Sequence, residues 1–339
     1  MSIKIKQQLE KLILSSPGLR KQPALMQRIL FRKKVAILMY HGVVRTPLDV
    51  SDWCFVSERD FYQQMEYLYQ NLNVVSLSRA AEDLRENRIR EPTAVITFDD
   101  GYQNVYDVAY PVLSGFELPA TVFLNTAFTD TANTIWFCTL NQAISETTHK
   151  SLLWNGQSYD LTSSEAKSVA SARLQSILKE YSHEVLLEKV ADIRRQLDVH
   201  TPAAVAGDSP FRLLCRHSIL EMSASGLIEF GAHTANHTIL TRVDKIRARQ
   251  EIESSIADAQ RLCGMRCKHF AYPNGRAADY DGDAIKLLEG AGVEAAVTTR
   301  PGPNTSATPA LELRRYGVGD KMSFLRFVLQ VHHLQRQPQ

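Results

Sequence analysis

From residue 35 onward, short apolar runs alternate with segments in which apolar positions recur every three or four residues. Val35–Tyr40, Thr93–Phe98 and Ala120–Leu124 are runs of apolar and β-branched residues, which predict buried strands. Ser57–Leu72 has the apolar spacing of a helix and begins with a capping serine, and a further helix is predicted at Val105–Leu113.

The same alternation returns in the second half of the chain. Strands are predicted at Leu227–Gly231, His269–Tyr272, Val293–Thr298 and Leu311–Val318, with helices at Asp244–Leu262, Asp283–Gly290 and Phe324–His333. Strands and helices that alternate at this spacing indicate βαβ units and a parallel sheet, which is open or closed into a barrel. The predicted fold class is therefore α/β.

Residues 130–215 interrupt this rhythm. Helices are predicted at Trp136–Ile144, Ser164–Tyr181 and Glu184–Leu197, and the Asn155-Gly156 pair predicts a β-hairpin within Leu152–Tyr159. We interpret this part as a helical and hairpin insertion in one domain, residues 35–339, because both flanks are needed to complete one sheet.

The composition supports a globular protein. Of the 339 residues, 44% are hydrophobic and 22% are charged, which excludes a chain that is disordered throughout. The longest unbroken apolar run, Val35–Tyr40, is far shorter than the roughly 20 residues that span a bilayer. No transmembrane helix is predicted.

Charge is concentrated in the first 34 residues, which contain nine Lys or Arg and one acid, although the net charge of the whole chain is only +2. Apolar residues interleave with these cations, so residues 1–34 are predicted to form a basic amphipathic segment. Two interpretations stay open: peripheral contact with an anionic membrane, or a helix packed on the domain. The sequence lacks the arginine-rich or aromatic-interleaved pattern of a nucleic-acid-binding surface.

We expect the protein to act in the cytoplasm, or at the inner face of the membrane if the basic segment binds there. The first residues lack the apolar core and cleavage site of a secretory signal. The five cysteines are odd in number and widely spread, which favours reduced thiols.

Three predicted strands are followed by side chains that can bind a metal ion or transfer a proton. Asp99 and Asp100 follow Thr93–Phe98, His233 and His237 follow the strand at Leu227, and His41 follows the first strand. Adjacent carboxylates are costly at a buried strand end, and a cation relieves that cost. Two neutral imidazoles and one carboxylate can bind one metal ion and leave positions open, while the second carboxylate serves as a general base. A turn, a helix cap or surface histidines would explain each motif alone, but their joint occurrence favours a site.

These residues carry a family resemblance. Thr97–Tyr102 resembles the TFDDG motif, and His233–His237 resembles the H-[ST]-x-x-H motif, of polysaccharide deacetylases, the NodB-homology or family 4 carbohydrate esterases. The resemblance covers roughly 35–125 and 215–320. It implies a distorted (β/α) barrel, a divalent metal that is usually zinc, and hydrolysis of the N-acetyl group of an acetamido sugar. It also implies that Asp100, His233 and His237 are metal ligands and that Asp99 is the general base.

The third family motif, R-x-P-Y, is only partly kept in Phe270–Gly275. Ala271 stands at the Arg position and Asn274 at the Tyr position, whose backbone N–H is implied to hold the oxyanion. The missing Arg normally pairs with the catalytic Asp. Arg315 is the replacement that we predict, although its neighbour Arg314 is the other candidate and either residue also fits a surface charge.

The usual L-x-H motif of the general acid is absent, since Leu311–Arg314 contains no histidine. Relatives of the poly-N-acetylglucosamine deacetylase type place this acid early, in a Y-H pair after the first strand. Tyr40-His41 is similar to that pair, so the resemblance implies that His41 protonates the leaving amine.

The sequence thus predicts a metal-dependent sugar N-deacetylase. Its expected substrate is an acetamido-sugar glycan, or a lipid-linked or nucleotide-linked precursor used in surface-polysaccharide assembly. The alternatives are hydrolysis of a cyclic amide or ureido compound on the same fold, a non-haem iron site, and a non-catalytic glycan-binding relative. Trp136, Trp154 and Tyr102 are candidate sugar-stacking platforms, with packing in the core as the alternative interpretation.

Overall fold

Eight parallel strands form the central sheet of the computed structural model, which describes residues 33–200 and 209–334. The predicted basic segment, except for its last two residues, lies outside the described part of the chain. The strands are β1 (Val35–Tyr40), β2 (Gly42–Val44), β3 (Phe55–Ser57), β4 (Asn73–Val74), β5 (Thr93–Phe98), β6 (Ala120–Leu124), β7 (Ser151–Trp154), β8 (Gln157–Asp160), β9 (Ile228–Ala232), β10 (His269–Ala271), β11 (Ala295–Val297) and β12 (Tyr316–Gly317).

The large sheet has the strand order β11-β10-β9-β6-β5-β1-β12, and β4 pairs with the beginning of β5. A parallel bridge between Val297 and Leu313 brings its two ends together. There the Leu313 N–H donates to the Ala296 carbonyl at 2.9 Å, and the Thr298 N–H donates to the Leu313 carbonyl at 2.8 Å. The sheet therefore curls into a distorted barrel, which confirms the predicted fold class.

The described residues form ten α-helices. They are α1 (Glu58–Asn71), α2 (Leu77–Arg85), α3 (Tyr110–Gly115), α4 (Trp136–Glu146), α5 (Ser164–Leu178), α6 (His183–Gln196), α7 (Arg216–Ala224), α8 (Lys245–Cys263), α9 (Gly282–Gly290) and α10 (Phe324–Val331). Side-chain caps fix several starts: Ser57 accepts a hydrogen bond from the Asp60 N–H, and Asp244 accepts one from the Arg247 N–H. None of the described helices has the length and apolar character that crossing a bilayer requires.

Several details differ from the sequence prediction. The strand predicted at Leu311–Val318 is reduced to β12, because Ala310–Glu312 forms a 3₁₀ turn that leaves Leu311 and Glu312 partly exposed. The single helix predicted at Val105–Leu113 begins as a π-helical segment, Val105–Ala109, and continues as α3. The sequence prediction also missed α2, α7 and the short strands β2, β3 and β4.

The barrel interior contains alternate residues of the strands. Val35 and Ile37 of β1 and Val95 of β5 belong to a buried cluster that α2 completes through Leu77 and Ala80. Because side chains alternate between the two faces of a strand, the next inward positions on β5 and beyond it are Thr97 and Asp99. The pattern that fills the interior with apolar residues at one end thus places polar residues at the carboxyl end.

The segment predicted as an insertion contains α4, the β7–β8 hairpin, α5 and α6. Asn155 and Gly156 both have positive φ, 51° and 71°, as a tight hairpin turn of this kind requires. Helix α4 packs against α5 and α6. It also reaches the barrel, where the Cys138 thiol lies 3.0 Å from the Tyr102 hydroxyl in a buried hydrogen bond.

Candidate active site at the carboxyl ends of the strands

Asp100, His233 and His237 converge at the carboxyl ends of β5 and β9. The Asp100 Oδ1 atom lies 3.6 Å from the His233 Nε2 and 3.5 Å from the His237 Nε2. All three residues are buried, and their ligand atoms lie within 4.8 Å of one another. The three residues that the sequence analysis named as ligands are thus brought to one point.

The protonation of this cluster suits a cation. The His233 Nδ1 lies 2.7 Å from the Ala271 carbonyl, so it must donate, and the Nε2 lone pair faces Asp100. Burial lowers the pKa of both histidines and favours neutral imidazoles. Burial and then the charge of Asp99 raise the pKa of Asp100, whose two carboxylate oxygens have no hydrogen-bond partner among the described residues. An Asp100 carboxyl group without a hydrogen-bond partner, which a bound cation would keep ionised, and two neutral imidazoles form a donor set that fits a divalent metal such as zinc.

The backbone around this cluster is strained. Asp100, Thr234, His237 and Asn274 have φ angles of 69°, 58°, 54° and 61°, in the left-handed region that residues other than glycine rarely adopt. Each such residue costs on the order of 1–3 kcal/mol and persists only where surrounding contacts hold it. One such contact is the hydrogen bond from the Thr238 N–H to the Thr234 Oγ1, at 2.9 Å. Three predicted site residues and the neighbouring Thr234 thus share a left-handed backbone conformation that must be held by the contacts around them.

Glu251 of α8 holds the His233–His237 loop from behind. Its carboxylate is almost fully buried and accepts hydrogen bonds from the backbone N–H and the side-chain amide of Asn236, at 3.0 and 2.8 Å. Arg247 completes the arrangement with a 2.7 Å ion pair to the same carboxylate. The motif position between the two histidines is therefore anchored to a helix.

Arg315 forms a two-pronged ion pair with Asp99. Its Nη1 and Nη2 donate to the two carboxylate oxygens at 2.6 and 2.7 Å, and its Nε donates to the Thr298 carbonyl at 2.9 Å. Burial would raise the pKa of Asp99, but the Arg315 guanidinium, followed by His233, lowers it below its ordinary value. Asp99 is therefore an ionised carboxylate, and Arg315 is fully buried whereas Arg314 is exposed.

His41 follows β1 and is 7% exposed. Its ring packs edge-on against Trp53, with centroids 4.7 Å apart. Burial lowers the pKa of His41 to about 4, although Asp99 acts in the opposite direction. The imidazole is therefore neutral at pH 7 in the free protein, and the assignment of His41 as the general acid stays a prediction.

A cavity of about 190 Å³ joins these groups. Six of the seven predicted site residues line it: His41, Asp99, Asp100, His233, His237 and Asn274. The seventh, Arg315, is not among its lining residues and reaches the cavity through its pair with Asp99. The Thr299 hydroxyl donates to the Asn274 carbonyl at 2.5 Å and fixes the turn that carries Asn274.

The aromatic platform differs from the sequence expectation. Trp136, Trp154 and Tyr102 are all buried, at 3%, 4% and 0% exposure, because they form the core between the barrel and α4 to α6. Trp53 instead is 50% exposed and lines the cavity. No sequence signal set Trp53 apart, because it begins an apolar run of four residues, Trp53–Val56, directly after a loop.

A family model and a curated relative both point to one family. The family model described as polysaccharide deacetylase matches residues 86–296. YxkH of Bacillus subtilis (strain 168), which carries the name of that family, is 31% identical over 93 residues, which are 27% of this chain and 32% of YxkH. His41 and Arg315 lie outside the residues that the family model matches.

Two solved structures show the similarity of fold. The deacetylase PplD of Streptococcus pyogenes, in complex with acetate, has a TM-score of 0.59 and 18% identity, over 88% of this chain and 99% of PplD. IcaB of Ammonifex degensii has a TM-score of 0.54 and 19% identity, over 89% of this chain and 97% of IcaB. These similarities extend over most of the chain.

Proposed function

The chain belongs to the polysaccharide deacetylase family, and we propose that it is a metal-dependent hydrolase that removes the N-acetyl group from an acetamido sugar in a glycan or glycan precursor. One observation supports this most strongly. A buried carboxylate without hydrogen-bond donors, on Asp100, faces two neutral imidazoles in the cavity that also contains the ionised Asp99. A metal-dependent hydrolase needs this combination of a cation site and a base.

Asp100, His233 and His237 would hold the metal, for which zinc is our proposal. When bound, a divalent cation supplies a Lewis acid and lowers the pKa of a water molecule. Asp99 then accepts the proton of the attacking water, because its pair with Arg315 keeps it ionised. The backbone N–H of Asn274 donates to the oxygen that gains negative charge.

The reaction forms a carbon–oxygen bond to the acetyl group and breaks its bond to nitrogen. The leaving nitrogen must gain a proton, and His41, which lines the cavity, is the donor that we propose. Because His41 is neutral in the free protein, it takes up a proton from the solvent before it donates, and Asp99 returns the proton of the attacking water to the solvent afterwards. The products are acetate and a free amino sugar.

The carrier that we propose for the sugar is a lipid or a nucleotide, and the place of action is the cytoplasm, at the inner face of the membrane. The basic composition of residues 1–34 supports this part of the proposal. Replacement of the Lys and Arg residues of this segment by Gln should reduce binding to anionic vesicles at low salt. Unchanged binding would contradict membrane contact through this segment.

The decisive experiment measures acetate release by zinc-loaded protein. The substrates are chitooligosaccharides, nucleotide-linked and lipid-linked acetamido sugars, with a cyclic amide and a ureido compound for the alternative function. Asp99→Asn and His41→Ala should each lower kcat by about 10²–10⁴ and keep the metal. His237→Ala should lose both activity and metal, while the exposed His217→Ala serves as the matched control. Hydrolysis of only the cyclic amide or the ureido compound would contradict the proposal.

A further inference from the structure

A second cavity, of about 340 Å³, adjoins the catalytic cavity and shares part of its wall. The residues that line both cavities are Trp53, Gln175, Lys179, Asn274 and Arg276. Gln175 belongs to α5 and Lys179 immediately follows it, so the predicted insertion contributes to the junction. A substrate whose acetamido sugar occupies the catalytic cavity would extend past this shared wall.

Two cations at the junction, Lys179 and Arg276, have no ion-pair partner in the part of the chain that the structure describes. Within residues 33–200 and 209–334, neither the Lys179 ammonium nor the Arg276 guanidinium forms an ion pair or a side-chain hydrogen bond. Lys179 is only partly exposed. Burial lowers the pKa of Lys179, and the neighbouring charge of Arg276 lowers it further, although Asp279 acts in the opposite direction. Two neighbouring cations that line the same wall and have no ion-pair partner favour the binding of an anion.

The acids of the same cavity are already engaged. Glu180 forms an ion pair with Arg242 at 2.6 Å. Asp52 accepts hydrogen bonds from the Cys54 N–H and from Asn141. Asp279 accepts one from the backbone N–H of Arg276 at 2.9 Å, and Asp320 accepts one from the Ser51 hydroxyl. Of the five residues that line both cavities, only Lys179 and Arg276 are charged, and neither has a side-chain partner among the described residues.

We propose that Lys179 and Arg276 form an anion subsite, which holds a phosphate or carboxylate group of the substrate next to the acetamido sugar. This inference rests on the proposed function for the position of the sugar. Arg276 can bind an oxyanion through two parallel hydrogen bonds, and Lys179 adds a point charge. Trp53, half exposed between the two cavities, offers an aromatic face to the sugar that connects them. The anion is either a phosphate of the carrier or the carboxylate of a neighbouring uronic acid.

The test compares three sugars by calorimetry on zinc-loaded Asp99→Asn protein, which should bind without hydrolysis. They are N-acetylglucosamine 1-phosphate, neutral methyl N-acetylglucosaminide, and a disaccharide of N-acetylglucosamine and glucuronic acid. One of the charged sugars should bind at least about tenfold more tightly than the neutral one, and which of the two does so identifies the source of the anion.

Lys179→Met and Arg276→Met should each reduce this preference by about tenfold, and Lys179→Arg should restore most of it. Lys286→Met is the matched control, because it removes one charge from an exposed lysine of α9 that lines neither cavity. Thermal melting of each variant shows whether the protein is folded.

Equal affinity for all three sugars, or a preference that survives both substitutions in folded protein, would overturn the anion subsite. Acetate release by the wild type with no charge preference would also overturn it, while the proposed function would stand. A charge preference that depends on Lys179, without acetate release from any acetamido sugar, would keep the subsite and contradict the proposed function.

Discussion

The pair between Arg315 and Asp99 gives the sharpest prediction about stability and activity together. Both side chains are buried, at 0% and 2% exposure, and the pair is joined by two hydrogen bonds of 2.6 and 2.7 Å. Arg315→Met keeps an apolar side chain in the same space but leaves the Asp99 carboxylate buried without its cation. Removal of one partner from a buried pair typically costs about 3–5 kcal/mol.

The same substitution should change the base. In the wild type the pKa of Asp99 is lowered, so the pair stabilises the fold above the ordinary pKa of an aspartate, and that stability is lost as the pH falls. Without Arg315, burial raises the pKa of Asp99. The acidic limb of the pH–rate profile should therefore move to higher pH, and the loss of stability relative to the wild type should shrink in acid.

Urea unfolding at pH 7 and pH 5, followed by tryptophan fluorescence, measures the first effect, and acetate release against pH measures the second. Arg314→Met is the matched control, because Arg314 is the exposed neighbour and should change stability by no more than about 0.5 kcal/mol. In the double variant Asp99→Asn, Arg315→Met, the cost should be smaller than in Arg315→Met alone, since no buried charge remains. If Arg315→Met lay within about 1 kcal/mol of Arg314→Met at pH 7, the reasoning from the buried pair would be refuted.

Three further predictions concern the metal ligands, acid stability and strand packing. Asp100→Asn should abolish metal binding, as measured by elemental analysis. The same substitution should raise the unfolding free energy of the metal-free protein by about 1 kcal/mol, because it removes a buried carboxyl group that has no hydrogen-bond partner. A loss of stability would contradict this prediction. Burial lowers the pKa of His332 to about 4, so the unfolded chain binds more protons than the folded protein between about pH 4 and 6.5. Urea titrations should therefore show that the unfolding free energy falls by up to about 3 kcal/mol as the pH is lowered through that range. The decrease should be smaller in His332→Gln. Gly231→Ala should cost about 1–3 kcal/mol in thermal or urea unfolding, because a Cβ there would lie 2.7 Å from the His269 carbonyl, whereas Gly290→Ala, with open space around it, should not destabilise the protein.

The parts of the fold that depend on local patterns could be predicted from the sequence. The strands β1, β5 and β6 have the predicted bounds because each is a continuous buried run. The hairpin at Asn155-Gly156 follows from a turn that these two residues favour. In contrast, α2 was missed although it presents Leu77, Ala80 and Leu84 to the interior, because its nine residues contain no longer repeat of the apolar pattern.

The sequence predicted those site residues that follow strand ends or belong to recognisable motifs. Asp100, His233 and His237 meet because parallel strands end at one edge, a rule that needs no coordinates. The choice of Arg315 over Arg314 depends on which side chain faces inward where the barrel closes, and that is set by contacts more than 200 residues away along the chain. Trp53 could not be separated from the other aromatic residues, since exposure in an irregular loop has no periodic signal.

The closure of the barrel links the completion of the fold to the ionisation of the predicted base, Asp99. The Val297–Leu313 bridge and β12 join the ends of the sheet, and Arg315 lies between them. A chain in which this seam has opened would keep β5, β6 and β9 paired, and the three predicted metal ligands follow β5 and β9. It would nevertheless lose the cation that keeps Asp99 ionised. The seam therefore matters for catalysis as well as for the fold, because Asp99 can be both buried and charged only when the barrel has closed and Arg315 lies beside it.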